Sequence, residues 1–321
     1  MPSEFELIRQ LSELQAVRRN EVRLGIGDDA ALLDIPADNE LVLTTDTLNG
    51  GVHFPEQTLP EDIGYKSLAV NLSDLAAMGA TPVAANLSLS LPKADESWLK
   101  RFAEGFFQVA DQYDVQLVGG DTTRGPLSIS VTAMGFVRKG RALLRSGAMP
   151  GDMIYVTGHL GDAGAALLAL QGELKLSGPQ NDQLLKRLNR PEPRNQVGQR
   201  LSGLASACID LSDGLIADLG HILQRSHTGA TLYVERLPVS PTLQTCFDLA
   251  GGWYVPLSSG DDYELCFTIP ESRQAEVESI VQDFDLPITW IGMIESLPGL
   301  RLLMDDGSEY SGGAGGYDHF R

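Results

Sequence analysis

Six short segments of this sequence share one pattern: an aspartate flanked by Gly, Ser or Thr lies beside an apolar run. They are residues 27–29, 44–46, 71–74, 119–124, 210–214 and 259–264. Any one of them alone is typical of a turn or a helix cap, because Asp, Gly and Ser are common in both. Taken together, so many carboxylates would repel one another unless cations lay among them. The pattern therefore favours a fold in which the ends of several strands carry a ligand site.

The chain as a whole is acidic, with 24 Lys and Arg against 43 Asp and Glu and a formal net charge of −19 over 321 residues. This balance argues against direct binding to nucleic acid or to a membrane surface, since both need Lys/Arg patches. The uncharged run at 75–92 holds too many polar residues and prolines for a membrane helix. Three cysteines are too few for a disulfide framework, and the first residues lack the features of a signal peptide. We therefore predict a soluble cytoplasmic protein.

The length suggests about two domains. A stretch that is first basic and then rich in Gly and Pro marks the expected boundary, which gives an N-terminal domain over residues 1–137, a linker over 138–149 and a C-terminal domain over 150–321. Predicted strands and helices mix without strict alternation. This mixture favours an α+β fold over a doubly wound sheet.

Hydrophobic periodicity predicts the individual elements. In the N-terminal half we expect helices over 5–14, 61–78 and 98–109, and strands over 41–43, 83–91, 115–118 and 127–137. In the C-terminal half we expect strands over 153–157, 231–235, 263–269 and 288–294, one strand ending at 210, and helices near 160–171, beyond 181 and over 214–225. The spacing of Ser3 and Glu6 predicts a capping box for the first helix.

The acidic segments carry the chemistry. Hard carboxylate oxygens suit Mg²⁺, which binds a few carboxylates together with waters and substrate phosphates. Nearby hydroxyl groups at Thr44, Thr45 and Ser212 offer further oxygen ligands, and Gly-rich turns at 119–120 and 158–161 let backbone N–H groups approach phosphate. Arg124 and Arg145 are candidate phosphate contacts, although exposed surface arginines are common. We interpret the set as a site for phosphate chemistry with several Mg²⁺ ions.

Other catalytic patterns are absent from the sequence. It has no GxxxxGK[ST] phosphate loop, no GxGxxG, no protein-kinase catalytic loop and no GxSxG. Cys208 and Cys266 lie in apolar runs and are expected to be inert core residues. His53, in a Gly-rich loop after Asp46, is either a substrate contact or an ordinary loop histidine.

Nine segments, taken together and in order, resemble the thiamine-monophosphate kinases, which belong to the ATP-binding superfamily of aminoimidazole ribonucleotide synthetase. They are GIGDDAALL, TTDTLNGGVHF, NLSDLAAMGA, GGDTTRG, RSGAMPGDMIYVTGHLGD, RPEPR, IDLSDGLIADLGH, SGDDYELCF and GYDHF. The resemblance covers essentially the whole chain. It implies a two-domain α+β fold of the aminoimidazole ribonucleotide synthetase type. The N-terminal strands of this fold pair across a homodimer, and the C-terminal domain is an α/β sandwich.

The resemblance also assigns roles to individual positions. The implied Mg²⁺ ligands are Asp29, Thr44, Thr45, Asp46, Asp74, Asp121, Asp210 and Asp213. The implied nucleotide contacts are Gly120, Asp121, Arg145 and Ser212, and the implied contacts to thiamine monophosphate are His53, Asp261 and Tyr317. Asp46, Asp74 and Asp121 are the ligands expected to hold metal at the reacting phosphates. The family usually has Glu where this chain has Asp261, one methylene shorter.

The implied reaction is transfer of a phosphoryl group from ATP to thiamine monophosphate, assisted by Mg²⁺. Two alternatives remain at this point. One is another ATP-dependent synthetase of the same superfamily, which would differ at His53, Asp261 and Tyr317. The other is an acidic metal-binding or scaffold protein with no turnover, for which the Asp-Gly segments would be plain turns.

Overall fold

The computed structural model describes residues 13–284 and 286–312. The chain divides into two compact units. The N-terminal unit comprises Met1–Leu75 and Ala80–Gly140, and the C-terminal unit comprises Ala76–Gly79 and Arg141–Arg321. The division after Gly140 falls within the predicted linker. Most of the helix predicted over 5–14 lies outside the described residues. Within the described ranges, no helix is both long and apolar enough to cross a membrane.

The N-terminal unit is built on a mixed four-stranded sheet. Its strands are β3 (Asn39–Asn49), β4 (Thr81–Leu91), β5 (Gln116–Arg124) and β6 (Ser128–Arg138). They lie in the order β3-β6-β4-β5, with β4 and β5 parallel and the other neighbours antiparallel. A short hairpin, β1 (Val22–Leu24) and β2 (Leu32–Leu33), packs against apolar residues of this sheet such as Val83 and Phe136.

Two helices complete this unit, α1 (Pro60–Ala77) and α2 (Glu96–Gln112). Asp95 caps α2 by accepting the backbone N–H of Trp98. The predicted apolar stripe is confirmed, since Phe102 and Phe106 are buried in the core. Helix α1 closely matches the prediction, with Pro60 at its first turn, where the missing N–H costs nothing.

Two strands run further than the sequence predicted. We expected a strand over 41–43 that ends before the TTDT segment, but β3 continues through that segment to Asn49. Similarly, β5 passes through the GGDTTR segment instead of ending before it. The physical reason is that β-branched Thr favours strands and that alternation places every second side chain on the exposed face of β3. Asp46 and Asp121 therefore lie inside strands and not in loops at strand ends.

The C-terminal unit has a six-stranded sheet in the order β12-β9-β11-β7-β10-β8. The strands are β7 (Asp152–Thr157), β8 (Ala207–Asp210), β9 (Gly229–Tyr233), β10 (Leu265–Pro270), β11 (Ile288–Glu295) and β12 (Gly299–Leu303). Only the β12–β9 pair in this sheet is parallel. Its α-helices are α3 (Asp162–Leu170), α4 (Gly178–Asn189), α5 (Asn195–Leu201), α6 (Leu215–Ser226), α7 (Pro241–Gln244), α8 (Tyr254–Ser258) and α9 (Gln274–Phe284).

Helices cover both faces of this sheet. Consecutive residues of β7 face opposite sides of the sheet, so Ile154 and Tyr155 enter two different apolar clusters. One cluster includes Leu219 of α6, and the other includes Val197 of α5 and residues of α9. The α/β sandwich implied for this half is confirmed, as is the α+β class of the chain.

The cysteines are buried free thiols. Cys208 and Cys266 lie in the neighbouring strands β8 and β10, where burial raises the pKa of both thiols well above the usual range. A thiol in this setting is a poor nucleophile. The expectation of inert core residues is therefore confirmed for both.

Helices α1 and α2 approach each other at two glycines. A Cβ added at Gly64 would lie 2.0 Å from the carbonyl oxygen of Phe102, and one added at Gly105 would lie 1.7 Å from the carbonyl oxygen of Glu61. Neither position has room for a methyl group without movement of a backbone. This contact fixes the helix that carries the acidic segment at 71–74.

We predict opposite effects for two Gly→Ala substitutions. Gly105→Ala should lower the unfolding free energy by about 1–3 kcal/mol, because overpacking must separate the helices. Gly220→Ala, in helix α6 where an added Cβ meets nothing within 4 Å, should raise it by ~0.5–1 kcal/mol through helix propensity. Thermal and denaturant unfolding of the two variants provide the measurement. An unchanged midpoint for Gly105→Ala would contradict the close helix contact.

Candidate active site

In the N-terminal unit, strand β3 and helix α1 bring together three of the predicted site residues. The Thr44 hydroxyl donates a hydrogen bond to Oδ2 of Asp74. The backbone N–H of Asp46 donates to Oδ1 of Asn71 at 3.1 Å, and the Asn71 amide donates to the Ser67 carbonyl at 3.0 Å. Asn71 thus ties the last turns of α1 to the middle of β3. The result is that Thr44, Asp46 and Asp74 form one cluster.

The two carboxylates of this cluster destabilise each other's charge. Loss of water contact, together with the negative charge of Asp74, raises the pKa of Asp46 to about 7. Carboxylate and hydroxyl oxygens are the donors that Mg²⁺ prefers, and a cation would relieve the repulsion. The donor set therefore fits Mg²⁺ at this point of the N-terminal unit.

The cluster is not a closed metal cage. Across the described residues, no group of three or more His, Cys, Asp or Glu side chains lies in an arrangement that could hold a metal ion. A Mg²⁺ ion bound here would therefore take its remaining ligands from water or phosphate oxygens. That is the usual way in which Mg²⁺ is held by one or two carboxylates.

The N-terminal unit also contains three further predicted metal ligands. Asp29 is exposed after β1, in a turn where its backbone N–H donates to Oδ1 of Asp28 at 3.0 Å. Thr45 lies on the opposite face of β3 from Thr44, and its hydroxyl is 2.8 Å from the Thr132 hydroxyl. Asp121 is an exposed residue of β5. Side-chain alternation in strands explains why adjacent Thr44 and Thr45 point in opposite directions.

Gly120, predicted to contact nucleotide, has a packing role of its own. Its φ is +151°, and a Cβ at this position would lie 1.8 Å from the Leu87 carbonyl oxygen of β4. The close approach of two strands therefore requires glycine here whether or not a nucleotide binds. Arg124 is exposed at the end of β5.

His53 is oriented by the turn that follows β3. Its Nδ1 accepts the backbone N–H of Asn49 at 3.0 Å, and Nζ of the buried Lys66 donates to its carbonyl oxygen at 3.3 Å. An accepting Nδ1 places the proton of the neutral imidazole on Nε2. His53 therefore has a fixed ring with a defined donor nitrogen, as a ligand contact requires.

In the C-terminal unit, the acidic segment at 210–214 forms the turn between β8 and α6. Asp210 is buried at the end of β8, and Ser212 and Asp213 are half-buried. Oδ2 of Asp218 accepts the backbone N–H groups of Asp213 at 3.0 Å and Gly214 at 3.1 Å. Asp218 therefore stabilises the conformation of this turn.

Sequence reasoning missed Asn71 and Asp218 as residues that shape the site. Burial, with the charge of Asp213, raises the pKa of Asp218 to about 7, although it accepts two backbone N–H groups. The available signal was its position in the first turn of a helix directly after Gly214, where a carboxylate can satisfy free N–H groups. Arg145 is exposed ahead of β7, and its positive charge lowers the pKa of Asp218 somewhat against the burial effect.

The segment at 259–264 lies beside this turn and is bonded to it through the backbone. Asp261 N–H donates to the Ser212 carbonyl at 2.9 Å, and Tyr263 N–H donates to the Leu211 carbonyl at 2.8 Å. Asp261 is half-buried, whereas Asp262 and Glu264 are buried. The predicted contacts Ser212 and Asp261 are therefore neighbours within one unit. Tyr317 lies outside the described residues.

Comparisons with known proteins identify both halves of the chain. The model of the AIR synthase related protein, N-terminal domain, matches residues 27–137, and that of the C-terminal domain matches residues 149–305. The chain is 48% identical over 319 residues to the thiamine-monophosphate kinase of Escherichia coli (strain K12), which covers 99% of this chain and 98% of that protein.

Solved structures agree with these matches. The crystal structure of thiamine-monophosphate kinase from Stenotrophomonas maltophilia K279a is 48% identical, with a TM-score of 0.87 and coverage of 96% of this chain and 98% of that chain. A structure of AaThiL complexed with AMPPCP and TMP is 33% identical, with a TM-score of 0.79 and coverage of 98% and 96%.

We predict that Mg²⁺ binding at Asp46 competes with a proton. A pKa of about 7 leaves this carboxyl mostly protonated at pH 6 and mostly ionised at pH 8, and only the ionised form binds metal. Affinity for Mg²⁺ should therefore rise about tenfold from pH 6 to pH 8 and level off above it. Titration calorimetry in buffers of different ionisation enthalpy measures both affinity and proton release.

The control is Asp46→Asn, which should release no proton at this site on binding. Equal wild-type affinities at pH 6 and pH 8, without proton release at the lower pH, would contradict the assignment of Asp46 as a ligand.

Proposed function

The chain belongs to the thiamine-monophosphate kinase family, and from this premise we propose that it transfers the γ-phosphoryl group of ATP directly to thiamine monophosphate. The products are ADP and thiamine diphosphate. The observation that carries the proposal is the Asp46–Asp74 pair. Its two acids lie close enough together for the charge of Asp74 to raise the pKa of Asp46, and a bound cation would relieve this repulsion. Identity of 48% over 99% of the chain to a thiamine-monophosphate kinase supports the choice of reaction.

The nucleophile in this reaction is an oxygen of the acceptor phosphate. A phosphate monoester has its second pKa near 6 and is largely ionised at neutral pH, so the enzyme needs no general base to activate it. The obstacle is repulsion between two polyanions, together with the alignment of the attacking and leaving oxygens. Mg²⁺, when bound, would supply the positive charge that offsets this repulsion.

The predicted site residues have three proposed tasks. Asp46 and Asp74, with Asp121, hold metal at the reacting phosphates, and Thr44, Thr45, Asp29, Asp210 and Asp213 complete the proposed metal ligands. Gly120, Asp121, Arg145 and Ser212 contact the nucleotide. His53, Asp261 and Tyr317 contact thiamine monophosphate, and Nε2 of His53 donates to an acceptor oxygen.

The direct test is ADP release with and without thiamine monophosphate, measured by a coupled assay. The proposal predicts that ADP release depends strictly on thiamine monophosphate. ATP consumption that depends instead on an amide or formyl substrate would point to another synthetase of the superfamily. No ATP consumption under any of these conditions would favour a metal-binding protein without turnover.

Removing one charge from a proposed metal ligand should stop turnover without unfolding the protein. We predict that Asp74→Asn and Asp121→Asn each lower kcat by about 10²-fold or more, because the phosphates then lose charge compensation in the transition state. The matched control is Asp111→Asn, which removes one exposed acid from α2 and should retain near-normal kcat. Near-normal turnover in a folded Asp74→Asn protein would contradict the metal assignment.

We also propose that the enzyme is a homodimer. Within the described residues β3 pairs with β6 on one side only, and its outward face carries Leu41 and Leu43, which are 44% and 60% exposed. An exposed apolar edge strand is a template for pairing with another chain, and a second copy of this chain offers the matching surface.

A lysine on that surface should disfavour association. Leu43→Lys is expected to convert the dimer to a monomer in sedimentation equilibrium, because pairing would bury the new charge. The control is Leu249→Lys, at a position 76% exposed in the C-terminal unit, which should leave the mass unchanged. A wild-type protein that sediments as a monomer would refute the proposed dimer.

We place the enzyme in the cytoplasm, where ATP is available. The three cysteines are free thiols, as is usual for proteins of a reducing compartment.

A further inference from the structure

A buried ionic cluster lies directly after the loop that carries Asp261. At its centre is Glu264, which has no exposed surface. Arg194 donates a hydrogen bond to each oxygen of this carboxylate, with Nε 2.7 Å from Oε2 and a terminal nitrogen 2.6 Å from Oε1. Arg187 reaches Oε1 at 2.8 Å, and the Thr157 hydroxyl donates to Oε2 at 2.7 Å. Each carboxylate oxygen therefore has two donors.

The cluster keeps Glu264 ionised inside the fold. Burial opposes the charge, but the two arginines and the Thr157 hydroxyl outweigh it and hold the pKa of Glu264 below its usual range. The space around the carboxylate is also fully used. A Cβ added at Gly158 would lie 2.0 Å from Oε1 of Glu264, so only glycine fits at that position.

The loop just before Glu264 has an unusual backbone conformation. Asp261 and Tyr263 both have left-handed conformations, with φ of +67° and +50°. Asp tolerates this region well, but a large side chain such as that of Tyr263 is rarely found there. Such a conformation persists only when the surrounding structure imposes it.

Two of the anchors that impose it, Asp262 and Glu264, follow Asp261 directly along the chain. Both oxygens of buried Asp262 lie 3.0 Å from the backbone nitrogen of Gly161. The carbonyl oxygen of Glu264 accepts the backbone N–H of Leu211 at 2.8 Å. With Asp262 and Glu264 fixed, Asp261 has little freedom in where its side chain points.

We propose that Arg194, acting through Glu264, is a positioning residue that holds Asp261 in place to recognise the organic cation of the acceptor. This inference rests on the proposed function. A carboxylate repels phosphate oxygens, so the group that suits Asp261 is a positively charged or amino-bearing heterocycle. The left-handed backbone also gives a physical reason for Asp at this position, since Asp adopts that conformation more readily than Glu.

The two arginines provide a matched pair for the test. Arg194 makes two parallel bonds that a lysine ammonium cannot reproduce, whereas Arg187 makes one bond to the carboxylate that a lysine can replace. Arg194→Lys should raise the KM for thiamine monophosphate about tenfold or more while changing the KM for ATP less than about twofold. Arg187→Lys should raise the same KM by at most about threefold.

A double-mutant cycle shows whether Arg194 acts through Asp261. Asp261→Ala should itself raise the KM for thiamine monophosphate, and adding Arg194→Lys to it should cause no further increase, because the contact that Arg194 positions is already gone. A purely structural role predicts another pattern: loss of folded enzyme lowers kcat in both backgrounds and leaves both KM values unchanged. Thermal unfolding is measured on every variant, and Glu264→Gln repeats the cycle should Arg194→Lys fail to fold.

The outcomes separate this inference from the proposed function. A wild-type enzyme whose ADP release ignores thiamine monophosphate refutes the proposed function. The inference alone is overturned by a different result, in which the wild-type enzyme depends on thiamine monophosphate. In that case Arg194→Lys raises the KM for thiamine monophosphate equally with and without Asp261, or raises the KM values for both substrates equally.

Discussion

The repulsion between two acids in one half-buried place is the constraint on which the proposed site depends. Asp46 projects from the middle of β3 and Asp74 from the last turn of α1, and the backbone holds both where they are. Asn71 secures the arrangement by accepting from the Asp46 backbone. The fold therefore keeps two like charges together at a cost in stability, which a cation can recover on binding.

Other buried acids show how this protein treats carboxylates that are structural. Glu264 is matched by two arginines, and Asp218 and Asp262 lie within hydrogen-bonding distance of backbone N–H groups. Compensation is strong enough to lower the pKa of the carboxyl at Glu264 but not at Asp218 or Asp262. At Asp46 the two causes of the pKa shift, burial and the charge of Asp74, both raise it, whereas backbone hydrogen bonds partly offset the same effects at Asp218. The net charge of −19 does not show this difference, since it counts every acid equally.

Periodicity and turn chemistry predicted much of the fold. Helices α1 and α2 and strands β4, β6 and β7 follow apolar patterns that are strong over their whole length, and their positions agree with the prediction. The predicted ends of β3 and β5 were wrong, because polar residues such as Asp46 and Asp121 were interpreted as the end of a strand. An exposed strand face tolerates polar side chains, and a local pattern carries no information about which strand lies at an edge.

The residue types of the candidate site were predictable from the sequence, but the residues that hold them in position were not. Short motifs pointed to Asp46, Asp74 and Asp213, whereas the partners of Glu264 lie 70 and 77 residues away along the chain. No local pattern encodes such a pairing, and the left-handed backbone at Tyr263 is equally invisible in the sequence. These long-range contacts are tertiary constraints, so they required the structure.

The most direct measurement of the central claim is the fate of labelled phosphate in a single turnover. ATP carrying ³²P at the γ position is mixed with excess enzyme, thiamine monophosphate and Mg²⁺, and the reaction is stopped at successive times. Direct in-line transfer predicts that the label passes from ATP to thiamine diphosphate and that no protein-bound label accumulates at any time. A labelled protein that forms and decays fast enough to account for the product would contradict the account, as would release of the label as inorganic phosphate alone.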